Sequence, residues 1–242
     1  MTLTLTELVT VSGNPASMWT RDVTSDLSVV HATFGTDEYH LARRALRGWA
    51  IDLGGHVGTI AAALLTDYPD LRVIVVEPLP DNLDMIRQNL APFGDRAVIV
   101  EGAAGDGERV DVGQEFGGIA DLPESYRETN RFIGRDVSIS IRDPLSVAAV
   151  VNVPVVTLAG LMKTYGISEV ALVKTDSESG EYPFFSDPKA NAKVRIIVGE
   201  WHDSWTSGKR ITDLLAKTHE MVRIDPEPPD GVTGIFEAQR RT

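Results

Sequence analysis

Between Trp49 and Ile60 the chain reads WAIDLGGHVGTI, a short apolar run and an aspartate followed by Gly54, Gly55 and Gly58, leading into a stretch of helix formers. An ordinary strand-to-helix connection needs far less glycine, so this spacing predicts a turn that some other group approaches closely. The alternation continues downstream. Apolar runs of strand length at 50–53, 73–76, 97–100, 170–174 and 194–198 are separated by segments of helical period. Two of these, GTIAAALLTDY and PDNLDMIRQNLAPFG, read as helices, the second starting from Pro80 and ending at Gly94. Strands alternating with helices dictate an α/β fold with a parallel sheet covered by helices. Past Glu200 a helix is expected near 211–218, then two short β segments around Val222 and Ile235 that pair antiparallel at the sheet edge.

With 242 residues, 43% of them hydrophobic, the chain can bury the core of one α/β domain spanning 1–242. Within it, 47–104 reads as a cofactor-binding half and 155–242 as a catalytic half. Residues 1–46 precede the first core strand and are expected to end in a helix, DEYHLARRALRG, stopped by Gly48. Residues 105–154 form a long insertion with scattered Gly and Pro and the short apolar segment VSISI. Both irregular regions are assigned to a cover over the site, since long insertions in compact domains usually serve function. Thirty-five acidic against 23 basic residues give a formal charge of -12 with no basic stripe, which excludes nucleic acid as an expected partner. The absence of cysteine removes disulfides and thiolate zinc sites and suits a reducing cytoplasm. No stretch approaches the roughly 20 apolar residues of a membrane span, and the N-terminus lacks the basic start and apolar core of a secretory signal. No membrane partner and a cytoplasmic location are therefore expected.

In an open parallel sheet, ligands bind beyond the carboxyl ends of the strands, where Asp52, Gly54, Gly55, His56 and Gly58 would lie. Gly54 and Gly58 would let a cofactor touch the backbone, and the following helix offers its first amides. The next strand ends in Glu77-Pro78, and an acid there can bridge the two ribose hydroxyls of an adenosine. An anionic Asp52 directly before the turn suits a cation better than a pyrophosphate. S-adenosylmethionine, with an ammonium, a sulfonium, an adenosine and no phosphate, matches both acids.

A second constellation is LVKTDSESGEYPFF, in which Asp176 would emerge beside the Gly54 turn. Glu178 and Glu181 follow on one face of any helix that begins there, a placement that the helix dipole alone also explains. Asp176 or Glu178 is a candidate base for an acceptor hydroxyl. In GEWHDSW, Glu200 and His202 share a side of an extended strand, and His202 is the alternative base. Asp176, Glu178, Glu200 and His202 also have the chemistry of magnesium or manganese ligands, but no compact ligand motif favours a metal. Lys174 either pairs with these acids or reaches for solvent, and His56 faces either cofactor or acceptor. Trp19, Phe34, Tyr39, Trp201 and Trp205 line an apolar acceptor pocket or belong to the core.

The stretches AIDLGGHVGTIA, VIVVEPLPDNLDMIRQNL, EGAAGDGE, VVTLAGLMKTYGISEVALVKTDSESGEYPFF and RIIVGEWH resemble the successive motifs of the FkbM-type S-adenosylmethionine-dependent methyltransferases. The lead-in RDVTSDLSVVHATFGTDEY is similar to that family's N-terminal segment, so the resemblance spans roughly residues 21–240. It implies a class I methyltransferase fold, Rossmann-like, with a mostly parallel seven-stranded sheet whose last pair is antiparallel, helices on both faces and an N-terminal extension. It also implies cofactor contacts from Asp52, Gly54, Gly58, Glu77 and the Ala103 region, and O-methylation of a small hydroxylated acceptor, a natural product or sugar. His56 stands where asparagine is commoner in the family, and Ser179 where the pattern has glycine. A nicotinamide-dependent oxidoreductase is disfavoured by Asp52 and by the lack of a Tyr/Lys or His hydride-transfer set. A non-catalytic adenosine-binding module is disfavoured by the acids from Asp176 to Glu181. Oligomeric state leaves no mark in the sequence.

Overall fold

A computed structural model describes residues 2–22, 24–42, 44–105, 107–115, 138–140, 147–177, 180–202, 209–225 and 233–241. The chain opens with an antiparallel hairpin, β1 (Leu3–Val9) and β2 (Pro15–Arg21), and a helix, α1 (Asp26–Thr36). The core then follows as β3 (Gly48–Leu53), α2 (Thr59–Asp67), β4 (Leu71–Glu77), α3 (Pro80–Leu90) and β5 (Ala97–Glu101). Proline at the first turn of α3 needs no N–H partner, and Pro92 and Gly94 convert its continuation into a 3-10 turn over Ala91–Arg96, so the α-helix stops short of Gly94.

Part of the inserted region builds a second sheet from β6 (Ala103–Ala104), β7 (Arg109–Glu115), β8 (Ser138–Ser140) and β9 (Val147–Val156), in the order β6-β9-β7-β8. The middle of VSISI is therefore a strand, while 116–137 and 141–146 lie outside the described residues. The chain continues through α4 (Leu158–Thr164), β10 (Val170–Thr175), two short helices α5 (Glu181–Phe184) and α6 (Pro188–Asn191), β11 (Val194–His202), α7 (Lys209–Leu215), β12 (His219–Asp225) and β13 (Thr233–Arg240).

The main sheet has the order β12-β13-β11-β10-β3-β4-β5. Strand β13 pairs antiparallel with both β11 and β12, and the remaining pairs are parallel. The expected mostly parallel seven-stranded sheet with an antiparallel edge is thus formed. Side chains alternate across it. Ala50, Val73, Val75, Leu172 and Val198 pack with α2, α3 and the N-terminal elements, while Ile51, Leu53, Ile74, Val76, Val173 and Ile197 pack with Leu158, Phe184 and Ile211 on the other face. Strands buried on both faces read as continuous apolar runs, which is why these were visible in the sequence.

The expected helix over 37–48 is a correction: α1 lies earlier, at Asp26–Thr36, and no helix follows it before β3 among the described residues. Asp37 ends α1 in the left-handed conformation and its carboxylate accepts the backbone N–H groups of Leu41 and Ala42, which a helix would have needed. Arg44, predicted to lie on that helix, instead bonds Glu237 of β13 through both of its terminal nitrogens, at 3.1 and 2.8 Å.

The site is positioned by the register of β3 and β10. Lys174 lies opposite Asp52 and Thr175 opposite Leu53, and the Asp176 N–H donates to the Leu53 carbonyl at 3.0 Å. As the two backbones converge, a Cβ on Gly54 would sit 1.8 Å from the Asp176 carbonyl oxygen, at a φ of +82°. Gly48, at the other end of β3, has a similar φ of +84° but open space around it. Gly54→Ala is therefore expected to cost about 4 kcal/mol or more and lower Tm by roughly 10 °C or more, against about 1 kcal/mol for Gly48→Ala. Thermal unfolding of the two variants checks this, and equal losses would refute the contact as the cause.

Candidate active site

Gly54, Gly55 and His56 leave β3 at its carboxyl end, and the N–H groups of Gly54 and Gly55 both donate to the Val76 carbonyl, at 3.1 and 3.0 Å. The close approach expected of a cofactor is made here by the protein itself: the Asp176 carbonyl meets Gly54, and Val75 Cγ1 would lie 2.2 Å from a Cβ on Gly55. His56 follows at φ +49°, a left-handed conformation that Asn and His adopt more readily than most residues. Its ring turns toward Asp26, with Nε2 3.6 Å from Oδ1.

Glu77 closes β4 and is almost fully buried. Oε1 accepts from the Leu79 N–H and from Asn82 Nδ2, both at 3.1 Å, and Oε2 accepts from the His56 N–H at 2.9 Å. A carboxylate offers about four lone-pair positions, so Oε2 can still accept a ligand hydroxyl. Burial pushes the Glu77 carboxyl up to about 7, against the opposing effect of these three hydrogen bonds.

Asp52 and Lys174 occupy the ends of the otherwise apolar rows through Ala50 and Leu172. Asp52 is fully buried, and neither of its carboxylate oxygens has a hydrogen bond among the described residues. Lys174 Nζ lies 3.6 Å from Asp52 Oδ1, beyond hydrogen-bond length, and donates instead to the Gly54 carbonyl at 3.2 Å. It is also 3.8 Å from Asp176 Oδ2 and 5.7 Å from the centre of the Tyr39 ring. Burial pushes Asp52 up to about 6, and the Asp176 charge adds to this while Lys174 opposes it. Burial alone would lower Lys174, yet the charges of Asp52, Asp176 and Glu200 outweigh it and hold the ammonium above its ordinary range. Lys174 therefore points inward and pairs with the acids rather than with solvent.

Around these groups opens a cleft of about 260 Å³. Its floor is Gly54, Gly55, His56, Glu77, Asn82 and Lys174, and its far wall is Ser25, Val29, Ala32 and Thr33 at and along α1. Glu38, Tyr39, Asp176 and Glu200 form the remaining side. Burial raises the Glu38 carboxyl, and the charges of Glu200 and Asp176 add to it. Burial also raises the Tyr39 hydroxyl well above its usual value, with Asp176 and Glu200 adding. A cleft with these acids and one buried ammonium favours a ligand carrying positive charge.

The structure thus brings Gly54, Gly55, His56, Glu77 and Asp176 together, with Asp52 beneath them. Pro78 and Ala103 line a smaller adjoining hollow with Gly54, Val110, Val112 and Ser177. Gly58 lies against Leu90 and Ile86 of α3 rather than along either space. Glu178, Ser179, the His202 side chain and Trp205 lie outside the described residues. Tyr39 walls the cleft, whereas Trp201 is wholly buried in the core. Glu181 is buried at the start of α5, where its Oε2 accepts from the Ser177 hydroxyl at 3.3 Å. Asn82 was missed, and of the two courses open to Lys174 in the sequence the structure takes the inward one. The signals were there, since an amide in the first turn after Glu77 and a lysine in register with Asp52 both follow from the strand assignments. Among the described residues no group of three or more His, Cys, Asp or Glu could hold a metal ion, and no helix is long and apolar enough to cross a membrane.

The raised Glu77 carboxyl has a signed consequence. Its folded form binds a proton more tightly than the unfolded chain, so its stabilising contribution is complete below about 4.5 and is lost as pH rises through about 7. Glu77→Gln removes that loss, so the unfolding free energy of the variant should gain on the wild type by on the order of 3 kcal/mol between pH 4.5 and 8. Denaturant unfolding across this range checks the sign, and a constant difference would show that Glu77 does not titrate there.

Residues 52–224 match the family described as Methyltransferase FkbM domain. No curated protein matches the sequence. Among solved structures, the Escherichia coli protein yhhF, assigned as a methyltransferase, covers 98% of this chain and 99% of its own at 11% identity and a TM-score of 0.51. A TehB-like SAM-dependent methyltransferase from Corynebacterium glutamicum covers 90% of this chain and 96% of its own at 14% identity and a TM-score of 0.45. A family match over most of the chain, on a mostly parallel seven-stranded sheet with an antiparallel edge, supersedes the oxidoreductase reading. The chain belongs to the FkbM methyltransferase family and is an S-adenosylmethionine-dependent methyltransferase of class I fold.

Proposed function

We propose that this protein methylates a hydroxyl oxygen of a small hydroxylated acceptor, a natural product or sugar moiety, with Asp176 as the base. The observation that carries the reading is the placement of Asp176: it leaves β10 beside Gly54, its side chain is about one-third exposed at 34%, and it faces the same cleft as Glu77. The cleft suits the cofactor, because Glu77 retains an acceptor position for ribose hydroxyls and the surrounding acids complement an ammonium and a sulfonium. Asp52, buried with no hydrogen bond to its oxygens among the described residues, supplies negative potential from below. Bound S-adenosylmethionine supplies an electrophilic methyl carbon. Asp176 accepts the acceptor's hydroxyl proton as that oxygen attacks, a role worth about 100- to 10,000-fold. Lys174, 3.8 Å away, holds the Asp176 carboxylate in place, while Tyr39 and residues of α1 line the cleft beside it. The acidic wall and the charge of -12 oppose a phosphate backbone, which supports a small acceptor over a nucleic acid.

Two measurements test this reading. Glu77→Ala should weaken S-adenosylhomocysteine by roughly 10- to 150-fold in calorimetric titration, and unchanged affinity would remove Glu77 from the cofactor site. A screen of hydroxylated natural products and sugars for cofactor-dependent gain of a methyl mass identifies the acceptor. With it, Asp176→Asn should lower turnover by about 100-fold or more while cofactor affinity changes little. Wild-type turnover in that variant would move the base to His202 or Glu178. Loss of wild-type activity on chelation, with rescue by magnesium, would assign the acids to a metal instead.

A further inference from the structure

Three buried side chains, Arg21, Asp26 and Asn82, join the N-terminal segment to Glu77. Asp26, at the start of α1, is fully buried and is gripped by Arg21 at the end of β2: Nε donates to Oδ2 at 2.9 Å, Nη2 to Oδ1 at 2.8 Å, and the Arg21 backbone N–H to Oδ2 at 2.9 Å. The same Nη2 donates to Asn82 Oδ1 at 2.9 Å, and Asn82 Nδ2 donates to Glu77 Oε1 at 3.1 Å. A second branch returns to the start, since His56 gives its N–H to Glu77 Oε2 and holds its ring Nε2 3.6 Å from Asp26 Oδ1. Burial raises Asp26, but the hydrogen bonds and charge of Arg21 outweigh it and keep the carboxyl below its ordinary value.

The chemistry of this circuit gives it a direction. A guanidinium only donates, so it compels the Asn82 oxygen to face Arg21 and the Asn82 amine to face Glu77. The Glu77 carboxylate, which only accepts, selects the same orientation from the other side; without Arg21 the Asn82 oxygen loses its buried donor and the amide is held from one end alone. Arg21 and Asp26 lie in the lead-in before the family match, which begins at residue 52, so this control of Glu77 comes from outside the matched core.

We propose that Arg21 and Asp26 are positioning residues for the cofactor ribose, acting through Asn82 and His56 to orient and fix the Glu77 carboxylate. This rests on Glu77 being the ribose-binding acid. Asn82→Ala interrupts the circuit while leaving the Arg21–Asp26 pair intact. The double variant Arg21→Met with Asp26→Leu removes both charges together, which avoids stranding a buried charge and so preserves the fold. Each should weaken S-adenosylhomocysteine about tenfold in calorimetric titration. The loss should fall on the ribose: wild type should prefer adenosine to 2′,3′-dideoxyadenosine, and both variants should shrink that preference. In a Glu77→Gln background Asn82→Ala should cause little further loss.

Equal loss of adenosine and dideoxyadenosine affinity, or an undiminished effect of Asn82→Ala in the Glu77→Gln background, would reduce the circuit to general support of the pocket and overturn the proposal. Wild-type affinity in both folded variants, with Glu77→Ala still impaired, would overturn it alone. If wild type binds neither S-adenosylhomocysteine nor adenosine, or Glu77→Ala binds normally, the cofactor reading of Glu77 falls and takes this proposal with it.

Discussion

The site depends on how closely β3 and β10 run together where they end. The Asp176 carbonyl occupies the space that a side chain at residue 54 would fill, so the two strand ends meet backbone to backbone. That contact places Asp176 at the cleft and sets Lys174 against Asp52 one step earlier in the same register. The pair then sits at the end of an apolar row, where removing one charge would strand the other in a medium unable to solvate it. Geometry and electrostatics at the centre of the cleft therefore follow from a single backbone approach.

Charge organises the next layer outward. Glu38, Asp176 and Glu200 flank one side of the cleft, Glu77 lies at its floor, and Lys174 is the buried cation among them. The distribution suits a ligand that brings positive charge, because such a ligand relieves the mutual repulsion that raises Glu38 and the burial that raises Glu77. Arg21 is the other buried cation nearby, and it is already engaged by Asp26 and Asn82. The N-terminal segment is thereby bound to the cofactor-binding half through directional polar contacts as well as through the apolar packing of Met18, Val30 and Phe34.

Much of this was legible in the chain itself. The central strands were readable because parallel strands buried on both faces need unbroken apolar runs, and those runs survive without knowledge of the partners. Gly54 and Glu77 were readable because each stands at a strand end in a local pattern, a glycine-rich turn in one case and an acid closing an apolar run in the other. The lead-in was misread for an equally physical reason. DEYHLARRALRG has helical composition, but Asp37 takes two backbone N–H groups and Glu237, nearly two hundred residues away, draws Arg44 out of any helix. Propensity is a weak force beside such contacts.

The sequence by itself determined the alternation of strands and helices, the glycine turn, and the acids available to the site, since these follow from periodicity and residue chemistry. Only the tertiary structure decided that the closest neighbour of Gly54 is the chain's own carbonyl, that Lys174 turns inward, and that Arg21 orients Asn82 toward Glu77. Each of these joins residues remote in sequence, and a hydrogen bond or a steric contact between them leaves no periodic trace for the chain to display.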